Sequence, residues 1–529
     1  MELERSFINL NRQKGTALSQ ITLEEDLNVP DQKADIFKII HGQGEFCPDE
    51  IKGETGKIKV RGVFMYRILY IGEDQNRMPE VLEGSIPVDE TVFLNELEEG
   101  DVLDFHWKQE DLHISEIHSR KANIKVILSM QGEAYREQPV PLVSELTESE
   151  DLLMRRSPVQ LQQEIIHKKD TIRVREDMNL PPGKPNVQRI LWKEIRLQGA
   201  ETRLEDGRIQ VKGELMVFFL YESEEEEGRI QWMEQSIPFR NDVECELSRT
   251  GLAGMTEVTL LKGEADLQAD YDGEPRTIRI DVVLELLMRY FEDSTCDVLQ
   301  DAYSLSKEIT PIRKEYQWDH ILQVSDSRAR VSARPAIGET DPDMMQILCV
   351  GGQVHSDYAE VSAQGLKMQG NVELWVFYAT EDDAQPFACS TYSIPYEHTA
   401  ELQATSESRW QLRMSMDQLT VSMISARELE VKAMLQMQVL LSRQETLGLV
   451  EDLEEAPLDM ERIRNLPGMV IHVVQPGETM WEISKTHSTT CQAVMELNGL
   501  KEENVKPGVR LLLVKKMAEK TIVSASKID

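Results

Sequence analysis

The sequence predicts a mainly β protein in which three tandem antiparallel β-sandwich-like repeats are followed by a small βααβ domain. Three observations lead to this prediction. The tripeptide Ser-Ile-Pro recurs at Ser85, Ser236 and Ser393. The segments around it alternate apolar with polar residues. After an acidic stretch near the C-terminus, the residue pattern changes from one mainly of strands to one of strands and helices. The length of 529 residues, as a soft prior, allows about three or four domains.

The repeat is defined by constant spacing between matching positions. The interval is 151 residues from Ser85 to Ser236 and 157 residues from Ser236 to Ser393. The same offsets relate a glycine and a tyrosine eight residues after it in every copy: Gly62 and Tyr70, Gly213 and Tyr221, Gly370 and Tyr378. We interpret these positions as fold determinants. The glycine would mark a close backbone approach, the tyrosine a half-buried aromatic ring and the tripeptide a strand end.

Within one copy the pattern is that of β-hairpins. The second copy carries tight-turn signals at Glu205-Asp206-Gly207 and Tyr271-Asp272-Gly273, between segments of strand-like alternation. Pro238 is expected to end a strand or to lie on an edge, because proline cannot donate to a central ladder. The predicted repeats span 1–150, 151–310 and 311–450, and the connecting segment 142–157 is compatible with a helix. The acidic run 222–228 is expected to be a solvated hairpin tip.

Composition excludes several classes of function. The net charge of −36, from 94 acidic and 58 basic residues, disfavours binding to nucleic acid or to anionic lipid. The N-terminus lacks the apolar stretch of a secretory signal, and the run 215–221 is far too short to span a bilayer, so we expect a cytosolic protein without a membrane span. The six scattered cysteines indicate reduced thiols.

The three repeats carry no recognisable catalytic pattern. His106, His113 and His118 lie close together, but the other copies lack them, and they do not have the spacing of a metal site. Nucleophile elbows, zinc-protease motifs and dinucleotide-binding loops are not found in the sequence. We therefore predict no catalytic residue, no cofactor and no metal, and we expect that the protein is not an enzyme.

The C-terminal segment predicts a separate small domain at 469–516, between an acidic linker, 451–468, and a tail, 517–529. The segment 470–474 reads as a strand. Thr479 and Glu482 form a capping box that opens a helix, and Thr489 and Gln492 repeat this device for a second helix. Gly499 supplies a left-handed cap, and the segment 509–514 forms the last strand.

This domain resembles a LysM domain, through "V-x-x-G-E-T-M-W-x-I-S", then "L-N-G-L", then "V-K-P-G-x-x-L". The resemblance implies a shallow groove for N-acetylglucosamine polymers or a protein partner, formed by Gly477, Glu478, Thr479, Met480, Trp481, Asn498, Gly499, Leu500 and Lys501. Trp481 is either a contact residue of this groove or a packing residue of the small core.

The whole chain resembles the SipL family of clostridial spore-coat morphogenetic proteins, whose tandem SPOCS domains precede a C-terminal LysM domain. The resemblance implies a non-enzymatic adaptor in the mother-cell cytoplasm, at the surface of the forespore and its spore coat. There the LysM domain would bind the coat-basement ATPase, a SpoIVA-like coat morphogenetic protein, and other coat proteins are further possible partners. One alternative is a peptidoglycan-binding cell-wall protein, and another is a carbohydrate-active enzyme targeted by its LysM domain.

Overall fold

Each repeat folds as two packed three-stranded antiparallel sheets. The structure is a computed structural model and describes residues 2–73, 77–147, 152–225, 230–362, 364–382, 384–459, 461, 465 and 467–515. The strands of the first repeat are β1 (Glu2–Asn28), β2 (Ile36–Glu54), β3 (Lys57–Gly72), β4 (Pro79–Phe93), β5 (Val102–His118) and β6 (Lys121–Thr147). One sheet has the order β1-β6-β5 and the other β2-β3-β4.

The second and third repeats have the same strand order. The second comprises β7 (Leu152–Asn179), β8 (Val187–Glu205), β9 (Arg208–Ser223), β10 (Ile230–Glu244), β11 (Ala253–Ala269) and β12 (Pro275–Ser304). The third comprises β13 (Lys307–Ala333), β14 (Met344–Ser362), β15 (Gly365–Thr380), β16 (Phe387–Ala400), β17 (Ser408–Ser425) and β18 (Glu428–Pro457). Their sheets are β7-β12-β11 with β8-β9-β10, and β13-β18-β17 with β14-β15-β16. The predicted fold class is confirmed.

The core of each sandwich lies between its two sheets, because one face of every central strand is apolar. In β6 the buried residues alternate with more exposed ones, as a half-buried strand requires: Ala122, Ile124, Val126, Leu128 and Met130. They pack against side chains of β3 such as Ile58, Val60 and Phe64. Alternation along the sequence therefore fixes which face of each strand is buried.

The recurring tyrosine has the same role in every copy. Tyr70, Tyr221 and Tyr378 are fully buried, more deeply than the sequence predicts. Each hydroxyl donates a hydrogen bond to a carbonyl 36 residues earlier, on Ala34, Pro185 or Pro342, at 3.0, 3.2 and 3.3 Å. Because a buried hydroxyl needs a partner, this bond ties the loop before the second strand of each repeat to the core.

The recurring glycine lies where two backbones approach closely, as the sequence predicts. A Cβ on Gly62 would clash with the carbonyl of Cys47, and one on Gly370 would clash with the carbonyl of His355. At Gly213 the neighbours are the ring of Phe239 at 3.0 Å and the Cα of Ala200 at 3.3 Å. At Gly62 and Gly370 a side chain would collide with the neighbouring backbone, whereas at Gly213 the neighbours would have to shift by a few tenths of an ångström.

The Ser-Ile-Pro tripeptide is not a strand end, so that prediction is wrong, whereas the alternative for Pro238, a place on an edge strand, is confirmed. It lies inside β4, β10 and β16, whose strands continue well beyond the proline. Each of these is the edge strand of its sheet, and an edge strand tolerates a residue that cannot donate on its solvent side. The residue after the tripeptide pairs with the recurring glycine, as Phe239 does with Gly213.

An arginine recurs in every copy and was not recognised in the sequence: Arg120, Arg276 and Arg427. In the second copy its guanidinium donates to the carbonyls of Pro181 at 2.9 Å and Lys184 at 3.0 Å. In the third copy Arg427 donates to the equivalent carbonyls of Gly338 and Asp341, and in the first copy Arg120 donates to Lys33 and to Val29, one residue before the equivalent proline. The turn is closed by a 3.0 Å bond from Lys184 N to Pro181 O, and its equivalent exists in each repeat. The arginine therefore fixes this turn.

The three repeats surround a shared apolar cluster. Equivalent positions meet there, among them Leu69, Leu220 and Phe377 on the middle strands of the smaller sheets. Trp192 is almost fully buried in the same cluster. Convergence of equivalent residues is the arrangement expected of three copies about a common axis. The repeats therefore form one assembly within a single chain.

A buried polar network also joins the repeats. The guanidinium of Arg289 donates to Glu164 at 2.7 Å, and His167 Nε2 lies 3.1 Å from Asp104 of the first repeat. Gln411 of the third repeat donates to Glu133 of the first repeat at 2.7 Å. Buried charges remain stable only when they are paired, so this network specifies how the repeats are oriented.

The connections between repeats differ from expectation. The described parts of segment 142–157 are strand, since β6 runs to Thr147 and β7 begins at Leu152, so the helix prediction is wrong there. Pairing with β1 and β12 outweighs the local helical pattern. Residues 451–457 of the expected linker lie in β18. Part of the acidic run, 226–228, and the tail 517–529 lie outside the described residues. All six cysteines are free thiols.

Candidate binding cleft of the C-terminal domain

The C-terminal domain has the predicted βααβ order. It consists of β19 (Met469–Val473), α1 (Met480–Thr486), α2 (Cys491–Asn498) and β20 (Arg510–Val514), with β19 and β20 paired antiparallel. Its small core contains Val474, Met480, Ile483, Val494, Leu511 and Leu513. The two helices cover one face of the two-stranded sheet through these side chains.

The first helix is capped as the sequence predicts. Thr479 is the N-cap, and both halves of the capping box with Glu482 are present. The backbone N–H of Thr479 donates to the Glu482 carboxylate at 2.9 Å, and the Glu482 N–H donates to the Thr479 hydroxyl at 3.3 Å. Two backbone donors at the helix start are therefore satisfied by side chains.

The second helix begins one residue later than predicted. Thr490 is its N-cap and accepts a 3.1 Å bond from Ala493 N, whereas Thr489 is buried. Gln492 bonds to Glu496 along the helix and does not close a capping box. Two adjacent threonines made the position ambiguous in the sequence. The left-handed cap at Gly499 is confirmed, with φ of 64°.

The loop before α1 is held by a histidine. His472 Nε2 lies 2.8 Å from Glu478 Oε2, and the same carboxylate oxygen accepts a 2.8 Å bond from Gln475 N. The hydrogen bond from Gln475 and then the contact with His472 lower the pKa of Glu478. Gly477 supplies the turn, with φ of 89°. This side of the expected groove is thus preorganised.

Helix α1 docks on the second repeat. The indole Nε1 of Trp481 donates a 2.8 Å hydrogen bond to Asp301, and Lys485 Nζ lies 2.7 Å from the same carboxylate. The ring of Tyr303 meets the Trp481 ring edge to face at 4.8 Å. Its hydroxyl donates to the carbonyl of Thr489 at 2.9 Å. Trp481 therefore makes a contact between domains and is not a residue of the small core.

The charge of Asp301 is stabilised by this contact. Burial alone would raise the pKa of Asp301, but the hydrogen bonds from Lys485 and Trp481 outweigh that effect and lower it. The ionised Asp301 carboxylate accepts hydrogen bonds from the charged Lys485 and the neutral Trp481, and hydrogen bonds to an ionised group are strong and directional. The docked position of the domain depends on it.

A cleft of about 700 Å³ lies between the C-terminal domain and the second repeat. Glu478, Thr479, Met480 and Trp481 line one wall, with Glu503 to Val505 beside them. Leu153 to Arg156 and Tyr303 form the opposing wall. A volume of this size is typical of small-molecule sites. The cleft combines aromatic edges with carboxylate, hydroxyl and guanidinium groups, so it can hold a polar ligand or a peptide segment.

The predicted groove residues do not all meet in this cleft. Glu478 to Trp481 line it, whereas the second set, Asn498 to Lys501, is not part of its lining. The Asn498 side chain instead bonds within the domain, donating to Val494 O and Leu512 O at 2.8 Å and accepting from Leu512 N at 2.7 Å. Leu500 packs against the small core. Asn498 thus ties α2 to β20.

Sequence reasoning missed the residues that the second repeat contributes. Asp301, Tyr303 and Arg155 lie at the ends of β12 and β7, far along the chain from α1. No local pattern marks them, because their relevance depends on where the C-terminal domain docks. Among the described residues, no cluster of three or more His, Cys, Asp or Glu side chains is arranged to hold a metal ion.

The fold and the cleft define a class: a tandem β-sandwich protein that carries a small βααβ binding module. Comparison with known families specifies it further. The SipL SPOCS-domain model matches residues 35–117 and 186–268, and the LysM-domain model matches 472–513. No curated protein and no solved structure matches the chain. The chain therefore has the architecture of SipL-type proteins, tandem SPOCS domains followed by LysM.

The structure extends this result to the third repeat. Each SPOCS match covers four consecutive strands, β2 to β5 and β8 to β11. Strands β14 to β17 have the same order and pairing, and Tyr378 and Arg427 make the same bonds as Tyr221 and Arg276 in the second copy. SPOCS and LysM are non-catalytic binding domains, and together they fit a protein associated with the spore coat. Within the described residues, no helix is both long and apolar enough to cross a bilayer.

Proposed function

We propose that this chain is a non-enzymatic adaptor of spore coat assembly that localises to the forespore surface and binds a coat-basement ATPase of the SpoIVA type through its LysM domain. The domain composition supports an assembly role, since both kinds of domain are binding modules. To this assembly role the proposal adds the localisation to the forespore surface and the identity of the partner, a SpoIVA-type ATPase.

The observation that carries the proposal is the surface that α1 binds in this structure. Trp481 and Lys485 both bond a protein carboxylate, Asp301, and Trp481 also packs on Tyr303. The same helix face therefore has the donors and the aromatic surface that a partner protein's carboxylate and aromatic ring would require. Aromatic residues of this kind are the common anchors of protein interfaces.

Peptidoglycan binding is the second candidate, and the cleft itself favours it. Its aromatic edges, from Trp481 and Tyr303, lie beside polar groups that can bond sugar hydroxyls and acetamido groups. A ligand of that kind would fill the cleft between the domains. The two candidates differ in whether α1 must leave Asp301 for the ligand to bind.

Binding by the full-length chain distinguishes them. The immobilised protein is exposed to a lysate of sporulating cells that contains the SpoIVA-type ATPase and, separately, to purified peptidoglycan. We expect retention of the ATPase, with at least a tenfold loss in Trp481→Ala, a loss typical of an interface anchor. Thr486→Ala, an exposed change on the same helix, is the control and should bind normally.

Each result has a definite meaning. Retention of the ATPase that depends on Trp481 supports the adaptor. Retention of peptidoglycan without the ATPase overturns it and establishes a wall-binding protein. Circular dichroism and thermal unfolding of both variants show whether the C-terminal domain remains folded.

A further inference from the structure

A second cavity, distinct from the LysM cleft, lies where the three repeats meet. Its volume is about 680 Å³. The first repeat contributes β2 and β5, the second contributes β8, and the third contributes β14 to β16. Because every wall comes from a different repeat, the cavity exists only in the assembled chain. Its volume lies within the usual range of small-molecule sites, about 300–1,000 Å³.

A buried carboxylate in this cavity lacks a partner. Glu194 on β8 is only 9% exposed, and its Oε2 has no hydrogen-bond partner among the described residues. Gln109 on β5 also presents a buried Oε1 without a partner. Both atoms are acceptors, so a group that satisfies them must donate; the lining residues Arg196 and Tyr392 also carry a buried Nε–H and a buried hydroxyl without a partner among the described residues.

The charges around the cavity favour a cation. Carboxylates of Glu110, Asp111, Glu194 and Glu373 line it, together with Arg196 and His355, and the His355 ring lies 3.4 Å from Glu373 and 3.7 Å from Glu110. Arg196 bonds to Glu234 at 3.3 Å, and the nearby Lys108 lies 2.7 Å from His355 Nδ1 and 3.5 Å from Glu110. Burial raises the pKa of Glu194 to about 7 in spite of Arg196. Burial lowers the pKa of His41, another lining residue, to about 4, so His41 adds no positive charge at neutral pH.

Aromatic rings also line the cavity. The rings of Trp375 and His41 have centroids 4.7 Å apart, and both residues line the cavity. An indole face attracts ammonium groups and covers methylene groups. This lining suits a ligand with a positively charged group for the carboxylates and an apolar part for the indole.

We propose that this cavity binds a small organic cation, whose primary ammonium group is held by the Glu194 carboxylate and whose alkyl part lies against Trp375. The ammonium donates the hydrogen bonds that Glu194 and Gln109 lack. Binding would also stabilise the charged form of Glu194, which burial disfavours. This site is independent of the LysM domain and of the proposed adaptor function.

The test uses the full-length chain and two probes of equal shape, 1,4-diaminobutane and 1,4-butanediol. Calorimetric titration should show saturable binding of the diamine to one site and no binding of the diol. Glu194→Gln keeps the shape but removes the charge, and we expect at least a tenfold weaker affinity. Glu176→Gln, an exposed change in the same repeat, controls for diffuse attraction to the acidic surface and should leave the affinity unchanged.

A second variant keeps the test decisive if Glu194→Gln unfolds. Glu373 has a side chain that is 58% exposed, so Glu373→Gln should preserve the fold and weaken diamine binding by roughly two- to fivefold. The proposal is overturned if neither variant changes diamine affinity. It is also overturned if the diol or N-acetylglucosamine binds as tightly as the diamine, because the site would then recognise hydroxyl or amide groups and not an ammonium.

Discussion

Trp481 and Asp301 are 180 residues apart in the chain, yet the indole N–H of Trp481 donates to the Asp301 carboxylate at 2.8 Å. This bond and the Lys485 ion pair hold the LysM domain against the second SPOCS repeat. The face of α1 that we propose for partner binding is therefore occupied within the chain. A ligand that needs this face must compete with Asp301.

Asp301→Ala should release the LysM domain. The change removes the acceptor for both donors, and hydrogen bonds to a charged group contribute about 1.5–3 kcal/mol each. We expect a larger radius of gyration by small-angle scattering and a red-shifted tryptophan emission as Trp481 becomes exposed. Asp297→Ala, an exposed change on the same strand, is the control. Identical scattering from both variants would show that the other contacts suffice for docking.

Arg276→Ala should destabilise the second repeat. It removes donors to Pro181, Lys184 and Asn186, and the two carbonyls lose bonds that fix the turn. The expected loss in unfolding free energy is about 1–3 kcal/mol. Arg279→Ala, which removes only an exposed ion pair with Asp177, should cost much less than Arg276→Ala. Urea unfolding of both variants measures the difference, and equal losses would refute a special role for the recurring arginine.

Gly370→Ala should be costly although it adds a single methyl group. The new Cβ would meet the carbonyl oxygen of His355 on the neighbouring strand, so the two backbones must separate. Such overpacking costs about 1–3 kcal/mol. Gly448→Ala is the matched control, since no atom lies within 4 Å of its added Cβ. Thermal unfolding should separate the two variants. If Gly370→Ala unfolds at the wild-type temperature, the close approach does not select glycine at this position.

Because of His167, the free energy of unfolding should fall as the pH becomes alkaline. Burial lowers its pKa, but the hydrogen bonds to Asp104 and Glu164 outweigh burial and raise the pKa to about 9. Because the folded pKa exceeds the unfolded value of about 6.5, this contribution is fully present below about pH 6.5 and is lost as pH rises through about 9. The shift corresponds to about 3 kcal/mol.

The measurement is urea unfolding between about pH 6.5 and about pH 10 for the wild type and His167→Gln. The wild type should lose stability over this range, whereas the variant should be less stable at the acidic end and show a flatter profile. Profiles of equal slope would mean that His167 is not charged in the folded protein.

In the LysM domain, helix caps could be predicted from the local sequence, whereas contacts with distant residues could not. Thr479, Glu482 and Gly499 act where the sequence places them, because a helix cap depends on residues within one turn. The local pattern did not separate Thr489 from Thr490: Thr490 caps α2, whereas Thr489 is buried and its carbonyl accepts a hydrogen bond from Tyr303 of another domain. Asn498 is turned inward for a similar reason, because β20 lies beside it.

The sequence by itself determined the β class, the three copies and the C-terminal βααβ domain. These follow from alternation with a period of two, from tight turns and from caps, all of which involve near neighbours in the chain. Only the tertiary structure decided the position of Ser-Ile-Pro within edge strands, the role of the recurring arginine, the junction cavity around Glu194 and the docking of Trp481 on Asp301. Each of these depends on which distant surfaces pack together, and no pattern among near neighbours encodes that choice.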